Sequence, residues 1–473
     1  MSGISELRAL RDIFVSSIDQ IIAVCDAEGT DFPKLDDPVH PDEFSPHGIR
    51  NNPKVSAAIE LAVTAAYQAI QTIRSPPITI ITEAAKHTVV TSLGIVERAD
   101  VAEILRGAGP NGKHVTDIAT HSGLDPKKLA RILRLLATNH FFKEVSPDVF
   151  ANNLLSSMLD SGKDITEPGF RENKHNSDQG MSALVGFNSD ETIRSLAQWR
   201  DVLFDPQTAF SEDIVHCGWQ PGLNTDLSMW DYYATPEGRY RGSRFNAVMA
   251  NTNKLQPPQA AVKAFDWGSL PLDAVVVDVG GGQGHVSLEI ARAFPNITVV
   301  LEDRLGVIAD AHKYWSQYLP SHQKAGKLHL LEHDFFEPQP PLPKTPDVFF
   351  LRQIIHDWSD GLCVKILSHL RTAAGPHTKL FIVDSILDYA CFSESQSTLM
   401  SDVNDVPKPL LPNMAGANLH AYQIDVLLGS VINAGERTID GYKSVIEAGG
   451  WKLVEDSDTR VDLLDKYKYK PPG

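Results

Sequence analysis

Cysteine is scarce in this chain, with four among 473 residues, and no two of them lie close together in the sequence. They are Cys25, Cys217, Cys363 and Cys391. Disulfide frameworks and zinc clusters need closely spaced cysteines, and no histidine–carboxylate group has metal-ligand spacing either. We therefore expect no metal. Sparing use of cysteine is typical of a reducing compartment, so we expect a cytoplasmic protein.

The chain also has few positive charges relative to negative ones, and few long apolar runs. The chain has 43 lysines and arginines against 60 aspartates and glutamates, which gives a net charge of -17 and a pI near 5.4. An acidic chain repels phosphates, so nucleic acid is not expected as a partner. No apolar run reaches membrane-spanning length, so we expect no membrane association.

The most informative segment present is a glycine-rich turn between a predicted strand and a predicted helix. A β-branched run containing Asp278 is followed by Gly280, Gly282 and Gly284, and apolar residues at helical spacing come next. Such a turn brings bare backbone N–H groups close to a ligand. The dinucleotide fingerprint is G-x-G-x-x-G, whereas the spacing here is G-x-G-x-G, which suits a ligand without phosphates. Tight packing of the turn is the alternative.

Three further strand patterns also end in polar or aromatic residues. The second strand leads into Asp303, about twenty residues beyond the turn, where an acid can accept both hydroxyls of a ribose. The third leads into Asp334 and Phe335, and the fourth ends at Arg352. Helix and strand patterns alternate, so the strands should be parallel with their carboxyl ends along one edge. We expect a ligand-binding crevice there.

Several motifs occur together and in the order found in one known family. They are D-V-G-G-G-Q-G, the acid pair after the second strand, H-D-F-F, R-Q-I-I-H-D-W-S-D and A-G-E-R-T. In these motifs the chain resembles S-adenosylmethionine-dependent O-methyltransferases of the plant caffeate and isoflavone type and their fungal secondary-metabolite relatives. The resemblance implies an α/β, Rossmann-like methyltransferase domain with an N-terminal all-helical and winged-helix dimerisation domain. We expect the dimerisation domain over 1–155, a helical bridge with substrate-pocket residues over 156–255, and the cofactor-binding catalytic domain over 256–473.

The resemblance also implies a site for S-adenosylmethionine. In it, Gly280, Gly282 and Gly284 line the methionine end near Asp278, Asp303 holds the ribose hydroxyls, and Asp334 and Phe335 flank the adenine. Arg352 stands where the family usually has a lysine near the cofactor.

For catalysis, the resemblance implies that His356 is the general base and that Asp384 and Glu436 frame it. The pKa of a phenol is about 10 and that of imidazole is about 6.5, so a histidine can take the phenol proton as attack develops. Two carboxylates hold the tautomer of the ring and stabilise the imidazolium. Asp384 replaces what is often a longer glutamate. As alternatives, His356 caps a strand–helix junction and Glu436 is an ordinary acid at the start of the helix predicted over 438–448.

The N-terminal half contains a pattern that also occurs in DNA-binding proteins. Residues 114–119 and 124–136 predict a helix–turn–helix, and 141–145 with 149–151 predict a small wing. A regulator would place the second helix in a DNA groove, whereas the resembling methyltransferases use this domain in a homodimer. Because the helix has only a modest basic face, we favour a homodimer. The polar, glycine-containing residues 156–185 are expected to form a surface excursion.

An aromatic-rich bridge begins near Trp230. In the family, the Phe and Met of the matching segment face the acceptor, so the resemblance makes Phe245, Met249 and Thr252 substrate-pocket candidates. A planar acceptor fits between Phe and Met. Plain core packing is the alternative, since a Phe/Met pair at this spacing is common in helices. The segment 393–418 is longer than the family norm. It is interpreted either as a lid over the site or as an insert.

Together these features predict a homodimeric enzyme that transfers the methyl group of S-adenosylmethionine to a hydroxyl oxygen of a small secondary metabolite. The acceptor is a phenol, an enol or an N-hydroxyl. The alternatives are a cofactor-retaining pericyclase or dehydratase of the same fold, a non-catalytic winged-helix regulator and a nicotinamide reductase. Against them stand the retained His356, Asp384 and Glu436, the acidic charge, and the glycine spacing.

Overall fold

The computed structural model describes residues 2–45, 47–176, 181–254, 260–391, 406–452 and 461–465. The chain forms two compact units. The first comprises Met1–Phe204, Gly218–Leu255 and Val406–Leu419, and the second comprises Asp205–Cys217, Gln256–Asp405 and His420–Gly473. The division at 155 and 255 expected from the sequence stays a prediction.

The first unit is mostly helical because its segments carry apolar residues at three- and four-residue spacing. Its helices are α1 (Gly3–Glu28), α2 (Pro53–Ile73), α3 (Pro76–Ala84), α4 (His87–Arg98), α5 (Val101–Arg106), α6 (Val115–Ser122), α7 (Pro126–Thr138), α8 (Phe170–Asn173), α9 (Ser182–Phe187), α10 (Ile193–Phe204), α11 (Trp219–Leu223), α12 (Met229–Ala234) and α13 (Arg239–Lys254). A π-helical turn, Asn188–Thr192, joins α9 to α10.

Helices α6 and α7 stand at the predicted helix–turn–helix, and a small sheet accompanies them. The sheet has β1 (Lys113–His114), β2 (Lys143–Ser146) and β3 (Val149–Ala151) in the antiparallel order β1-β3-β2. Leu129, Leu133 and Leu136 of α7 pack in one buried cluster with Phe142 and Phe150. The amphipathic stripe of α7 therefore faces the core of this unit.

The described residues of 156–176 and 181–185 form only in part the surface excursion expected from their polarity, because exposed positions alternate with buried ones. Lys174 is buried, and its ammonium donates to the backbone oxygen of Glu97 and lies 2.8 Å from Asp100 Oδ1 and 3.5 Å from Glu103 Oε1. His175 is also buried, with Nε2 3.0 Å from Glu97 Oε1. The expectation is wrong for Lys174 and His175, because their charges are paired with acids elsewhere in the unit and pairing offsets the cost of burial.

The long segment 393–418 is described only from residue 406 onward, so its first part lies outside the described residues. The described part packs on α1 and α2 of the first unit: Leu410 lies in a cluster with Leu10 and Ala65. Thr64 Oγ1 also donates to Met414 O at 3.0 Å. Both interpretations of the segment, a lid and an insert, stay predictions.

The second unit is built on a parallel sheet. Its strands are β4 (Val275–Val279), β5 (Thr298–Asp303), β6 (Leu328–Glu332), β7 (Val348–Arg352), β8 (Lys379–Asp384) and β9 (Val461–Asp465), in the order β6-β5-β4-β7-β8-β9. Its helices are α14 (Ala260–Ala264), α15 (His285–Ala293), α16 (Leu305–Tyr318), α17 (Pro320–Lys324), α18 (Asp360–Ala373), α19 (Ala415–Ile432, from residue 420 onward) and α20 (Ile439–Ala448).

Helices cover both faces of this sheet. Val275, Val277 and Val279 of β4 pack with α18 and α20 on one face, whereas Val276 packs with α15 and α16 on the other. This alternation follows from the two-residue period of a strand and explains why β4 is apolar at nearly every position. The α/β fold class expected from the sequence is confirmed. Among the described helices, none is long and apolar enough to cross a membrane.

The buried Lys174 cluster leads to a prediction about stability. Lys174→Met would leave Glu97, Asp100 and Glu103 without their shared cation, so we expect the variant to lose about 3–5 kcal/mol of stability. Lys143→Met is the control, because Lys143 makes an exposed ion pair with Asp36 at 2.7 Å. Loss of such a pair costs less than about 1 kcal/mol. Urea denaturation of the full chain compares the two, and equal midpoints would contradict the prediction.

Candidate active site

The turn between β4 and α15 is set by glycine backbone geometry. Gly280, Gly282 and Gly284 all have positive φ, at 66°, 61° and 81°. A Cβ at Gly284 would also overlap Trp315 and Leu301, so that glycine serves packing. At Gly282, by contrast, no described atom lies within 4 Å of the position a Cβ would take. In this one turn, Gly284 therefore allows close packing, whereas Gly282 faces open space.

Asp303 fixes this turn from the end of β5. Its Oδ2 accepts a hydrogen bond from Gly282 N at 2.8 Å, and its Oδ1 accepts one from Arg304 N at 2.7 Å. Burial raises the pKa of the Asp303 carboxyl, against the lowering effect of these two amides. Each oxygen keeps a further lone pair, so the carboxylate can still accept bonds from a diol.

Two buried charges flank the turn on neighbouring strands. Asp278 lies in β4, and its pKa is raised to about 6 by burial, with Ser287 and Arg352 opposing the rise and Asp303 adding to it. Arg352 ends β7, which pairs with β4. Burial lowers the pKa of Arg352, while the charges of Asp278 and Asp384 oppose that change. The two residues therefore influence each other electrostatically at the same edge of the sheet.

Asp334 and Phe335 follow β6 at that edge. Asp334 is exposed and its Oδ1 accepts a hydrogen bond from Phe336 N at 2.9 Å. The ring of Phe335 lies beside the glycine turn, 3.4 Å from the position that a Cβ on Gly280 would take. It packs edge-on against Trp358, with ring centroids 5.7 Å apart. The structure thus brings Phe335, one of the two predicted adenine residues, next to the predicted methionine-end residues.

His356 lies in a 3₁₀ turn, Ile355–Asp357, just after β7. The residue is only 8% exposed. Its Nδ1 is 2.9 Å from Glu436 Oε1, and its Nε2 is 3.5 Å from Asp357 Oδ1. Burial alone would lower the pKa of His356, but Asp357, Glu436 and Asp384 outweigh it and raise the pKa to about 10. The imidazole is thus a strong base held by an acid at Nδ1.

Glu436 and Asp384 differ in how they meet this histidine. Glu436 bonds it directly, and the backbone N–H of Glu436 donates to Asp425 Oδ1 at 2.9 Å. Asp384 ends β8 and is 1% exposed. Neither of its oxygens completes a hydrogen bond among the described residues, although the buried Tyr442 hydroxyl interacts with it. Burial raises the pKa of Asp384 to about 7, with His356 opposing the rise. Asp384 therefore acts on the ring through its charge rather than through a bond.

The three substrate-pocket candidates lie on α13 in the first unit. The ring of Phe245 packs against Phe187, Trp230 and Tyr233, with centroids 5.5–5.7 Å apart. Met249 is exposed, and Thr252 Oγ1 donates to Val248 O of its own helix at 3.0 Å. Phe245 thus belongs to an aromatic cluster, and a substrate role for these residues stays a prediction.

Three residues around His356 were missed from the sequence. Asp357 was not among the expected site residues, yet its carboxylate lies 3.5 Å from Nε2 of the histidine. Asp425 holds the Glu436 backbone from α19, and Arg437 contacts the turn that carries His356. Asp357 and Arg437 had a sequence signal, since each stands next to a predicted catalytic residue in a family motif, whereas Asp425 had none. No cluster of three or more potential metal ligands occurs in the part of the chain that the structure describes.

Comparisons with known proteins agree on one family. A family model described as an O-methyltransferase domain matches residues 222–409. An O-methyltransferase from Armillaria gallica is 38% identical over 453 residues, and a 4-O-methyltransferase from Phanerochaete chrysosporium is 35% identical over 457 residues. Each alignment covers 95% of this chain and 95% of the relative.

Solved structures give the same architecture. Mitomycin 7-O-methyltransferase matches with a TM-score of 0.58 at 21% identity, over 82% of this chain and 94% of that chain. A pericyclic reaction enzyme matches with a TM-score of 0.60 at 17% identity, over 84% of this chain and 89% of that chain. At these identities the likeness concerns the fold alone.

The glycine turn yields a test by paired substitutions. Gly284→Ala adds both a positive-φ strain and a clash with Trp315 and Leu301, so we expect it to lower the thermal unfolding midpoint strongly. Gly282→Ala adds only the strain, about 1–2 kcal/mol, because its Cβ points into open space. Differential scanning calorimetry compares the variants. A greater loss for Gly282→Ala would contradict the assignment of packing to Gly284.

Proposed function

This chain belongs to the O-methyltransferase family and uses S-adenosylmethionine as its methyl donor, and from that premise we propose that it methylates a hydroxyl oxygen of a small secondary metabolite with His356 as general base. The observation that carries the base is the 2.9 Å contact between His356 Nδ1 and Glu436 Oε1 in a buried turn. A phenol, an enol or an N-hydroxyl is the expected acceptor. A pericyclic reaction enzyme shares only the fold, so it supports no second function.

The residues of the glycine turn fit such a cofactor. Gly282 leaves its backbone open, Asp303 retains lone pairs for the ribose hydroxyls, and Phe335 offers a ring beside Gly280. We propose that these residues and Asp278 hold the cofactor, together with the other turn glycines, Asp334 and Arg352. When bound, S-adenosylmethionine supplies an electrophilic methyl group, so the chain has only to position the acceptor oxygen and remove its proton.

Proton removal falls to Nε2 of His356 in this proposal. Nδ1 is committed to Glu436, which fixes the tautomer and leaves Nε2 to accept the hydroxyl proton. The imidazolium that forms is stabilised by Glu436 and by Asp357, 3.5 Å from Nε2, while the buried Asp384 adds negative charge. A phenol titrates at about pH 10, so proton transfer to the neutral form of a histidine whose pKa is raised toward that value is nearly balanced, and this neutral form becomes populated as pH rises.

Homodimerisation is proposed from the helical unit. In the described part of the chain no residue of α3 is buried, and Ile80 and Ile81 are 69% and 64% exposed. Ile73 at the end of α2 is 71% exposed beside them in the sequence. An apolar surface of this kind marks an interface, and a second copy of the chain is the occupant that the family resemblance implies.

All four cysteines are free, which supports a cytoplasmic setting.

The role of His356 is tested by methyl transfer across pH. Labelled S-adenosylmethionine is offered with phenolic, enolic and N-hydroxy acceptors, and the best acceptor is used for kcat/KM profiles. We expect His356→Ala to lose about 10²–10⁴ in rate. Glu436→Gln should lower the histidine pKa and so move the acid limb of the profile to lower pH by about one unit or more.

The sign of that shift follows from the charges. The folded pKa of His356 is raised, so the neutral base appears only as pH rises through that pKa, and removing a carboxylate lets it appear sooner. Cofactor affinity, measured by calorimetry, should stay unchanged in both variants. Equal rates for wild type and His356→Ala would remove the histidine from its role and leave the enzyme class intact.

The proposed dimer is tested by introducing negatively charged residues on the exposed apolar surface of α3. We expect Ile80→Glu with Ile81→Glu to convert a dimer to a monomer in light scattering, because the buried interface would then hold unpaired carboxylates. Leu272→Glu, at an 81% exposed leucine of the second unit, is the control and should stay dimeric. A monomeric wild type, or a dimeric double variant, would contradict the interface.

A further inference from the structure

Arg437 connects the two sides of the proposed catalytic pair. It follows Glu436 directly in sequence, yet its guanidinium bonds the backbone around His356. Nη1 donates to Ile355 O at 2.8 Å and Nη2 donates to Trp358 O at 2.7 Å. These carbonyls lie one residue before and two residues after the histidine. The side chain therefore holds the histidine turn from the glutamate's own loop.

The backbone of Arg437 is also fixed, on its other side. Its carbonyl accepts a hydrogen bond from Leu387 N at 2.9 Å, and it forms a parallel bridge with Ile386. Both residues follow β8, the strand that ends in Asp384. Arg437 is thus the junction of three segments, which carry the base, its bonded carboxylate and the unbonded buried carboxylate.

Apart from Arg437, the histidine turn is held by the packing of Ile355 and Trp358 and by weaker hydrogen bonds. The hydrogen bonds of its own backbone are long, with Asp357 N to Ile354 O at 3.2 Å and Trp358 N to Ile355 O at 3.4 Å. The thiol of Cys363 also lies 3.2 Å from Ile355 O, but a thiol is a weak donor. A charged guanidinium gives stronger hydrogen bonds, so Arg437 makes the strongest polar contacts with the two carbonyls of the turn.

The chemistry of this position requires arginine in particular. The side chain is 9% exposed, and Nε donates to Asp360 Oδ1 at 2.9 Å while the two terminal nitrogens reach different carbonyls. A planar fork presents donors in these separate directions, whereas a lysine ammonium is a point charge that cannot span them. Burying such a charge is costly, and here its donors are matched to the turn that carries the base.

We propose that Arg437 is a positioning residue for methyl transfer, which sets the register between His356 and Glu436 by clamping the Ile355 and Trp358 carbonyls. The proposal rests on the function assigned to His356 above. Arg437 does not touch the reacting atoms. It keeps the imidazole in the orientation that Glu436 can bond, so its loss should affect turnover more than cofactor binding.

The first experiment looks at the His356–Glu436 hydrogen bond itself and needs no acceptor. In protein labelled with ¹⁵N-histidine, we expect an exchange-protected imidazole N–H resonance that His356→Ala removes. Arg437→Gln should broaden or abolish it, and Arg437→Lys should retain it in part. Arg371→Lys is the matched control, because Arg371 sits at the far end of α18 and donates to Gly450 O at 3.2 Å. It should leave the resonance unchanged.

The second experiment measures turnover with the acceptor selected from the panel. Arg437→Gln should lower kcat by up to about a hundredfold, as expected for a misplaced catalytic group, with the cofactor Kd unchanged. If Arg437 acts through Glu436, the substitution should cost no more than about twofold in a Glu436→Gln background, because residues that act as a unit are not additive.

Distinct outcomes overturn the proposal and the function beneath it. An N–H resonance that survives in folded Arg437→Gln, or that is missing from wild type, overturns the clamp, as does a double variant that loses the product of the two single losses. Where Arg437→Gln does not fold, Arg437→Lys carries the same two readouts. His356→Ala with full activity would overturn the base assignment alone, since the resonance still reports the positioning.

Discussion

A hydrogen bond of 2.9 Å between His356 Nδ1 and Glu436 Oε1 joins two loops that lie 80 residues apart in the chain. It exists because parallel strands bring their carboxyl ends to one edge, so the turn after β7 meets the loop before α20. The bond determines the tautomer of the ring and, with the neighbouring acids, its basicity. The glycine turn after β4, where we propose that the cofactor binds, lies at the same edge, so the geometry of the sheet would set the distance between methyl donor and base.

Buried charge is the constraint that both units of the chain have to satisfy. In the first unit, Lys174 is surrounded by three acids, and Arg244 pairs with Asp190 at 3.0 Å. In the second, Asp384 has no bonded partner among the described residues and His356 is held between carboxylates. The paired groups of the first unit support the fold, whereas the unbalanced acids of the second raise the basicity of a histidine. Burial of charge therefore supports stability where the charges are paired and shifts a pKa where the acids are in excess.

The sequence predicted the parts of the fold that local pattern controls. The β-branched run and glycines at 275–284 became β4 and its turn, and the alternation of strands and helices became the parallel sheet. The family motifs led to His356 and Glu436, which the structure brings together. Partners set by three-dimensional geometry were not predictable: Asp357 reaches Nε2 because of the local 3₁₀ turn, and Arg437 reaches the turn carbonyls because of how two loops meet. The burial of Lys174 was missed for the same reason, because its acids belong to a distant helix pair.

The central claim is that His356 removes the acceptor proton, and acceptor acidity tests it most directly. Wild type and His356→Ala are compared on a series of substituted phenols of graded acidity, at one pH and with saturating S-adenosylmethionine. If the histidine is the base, the loss caused by the substitution should shrink steadily as the phenol becomes more acidic, and nearly vanish for a phenol already ionised in solution. A loss that is the same for every phenol would contradict the account, because it would mean that His356 orients the acceptor without taking its proton.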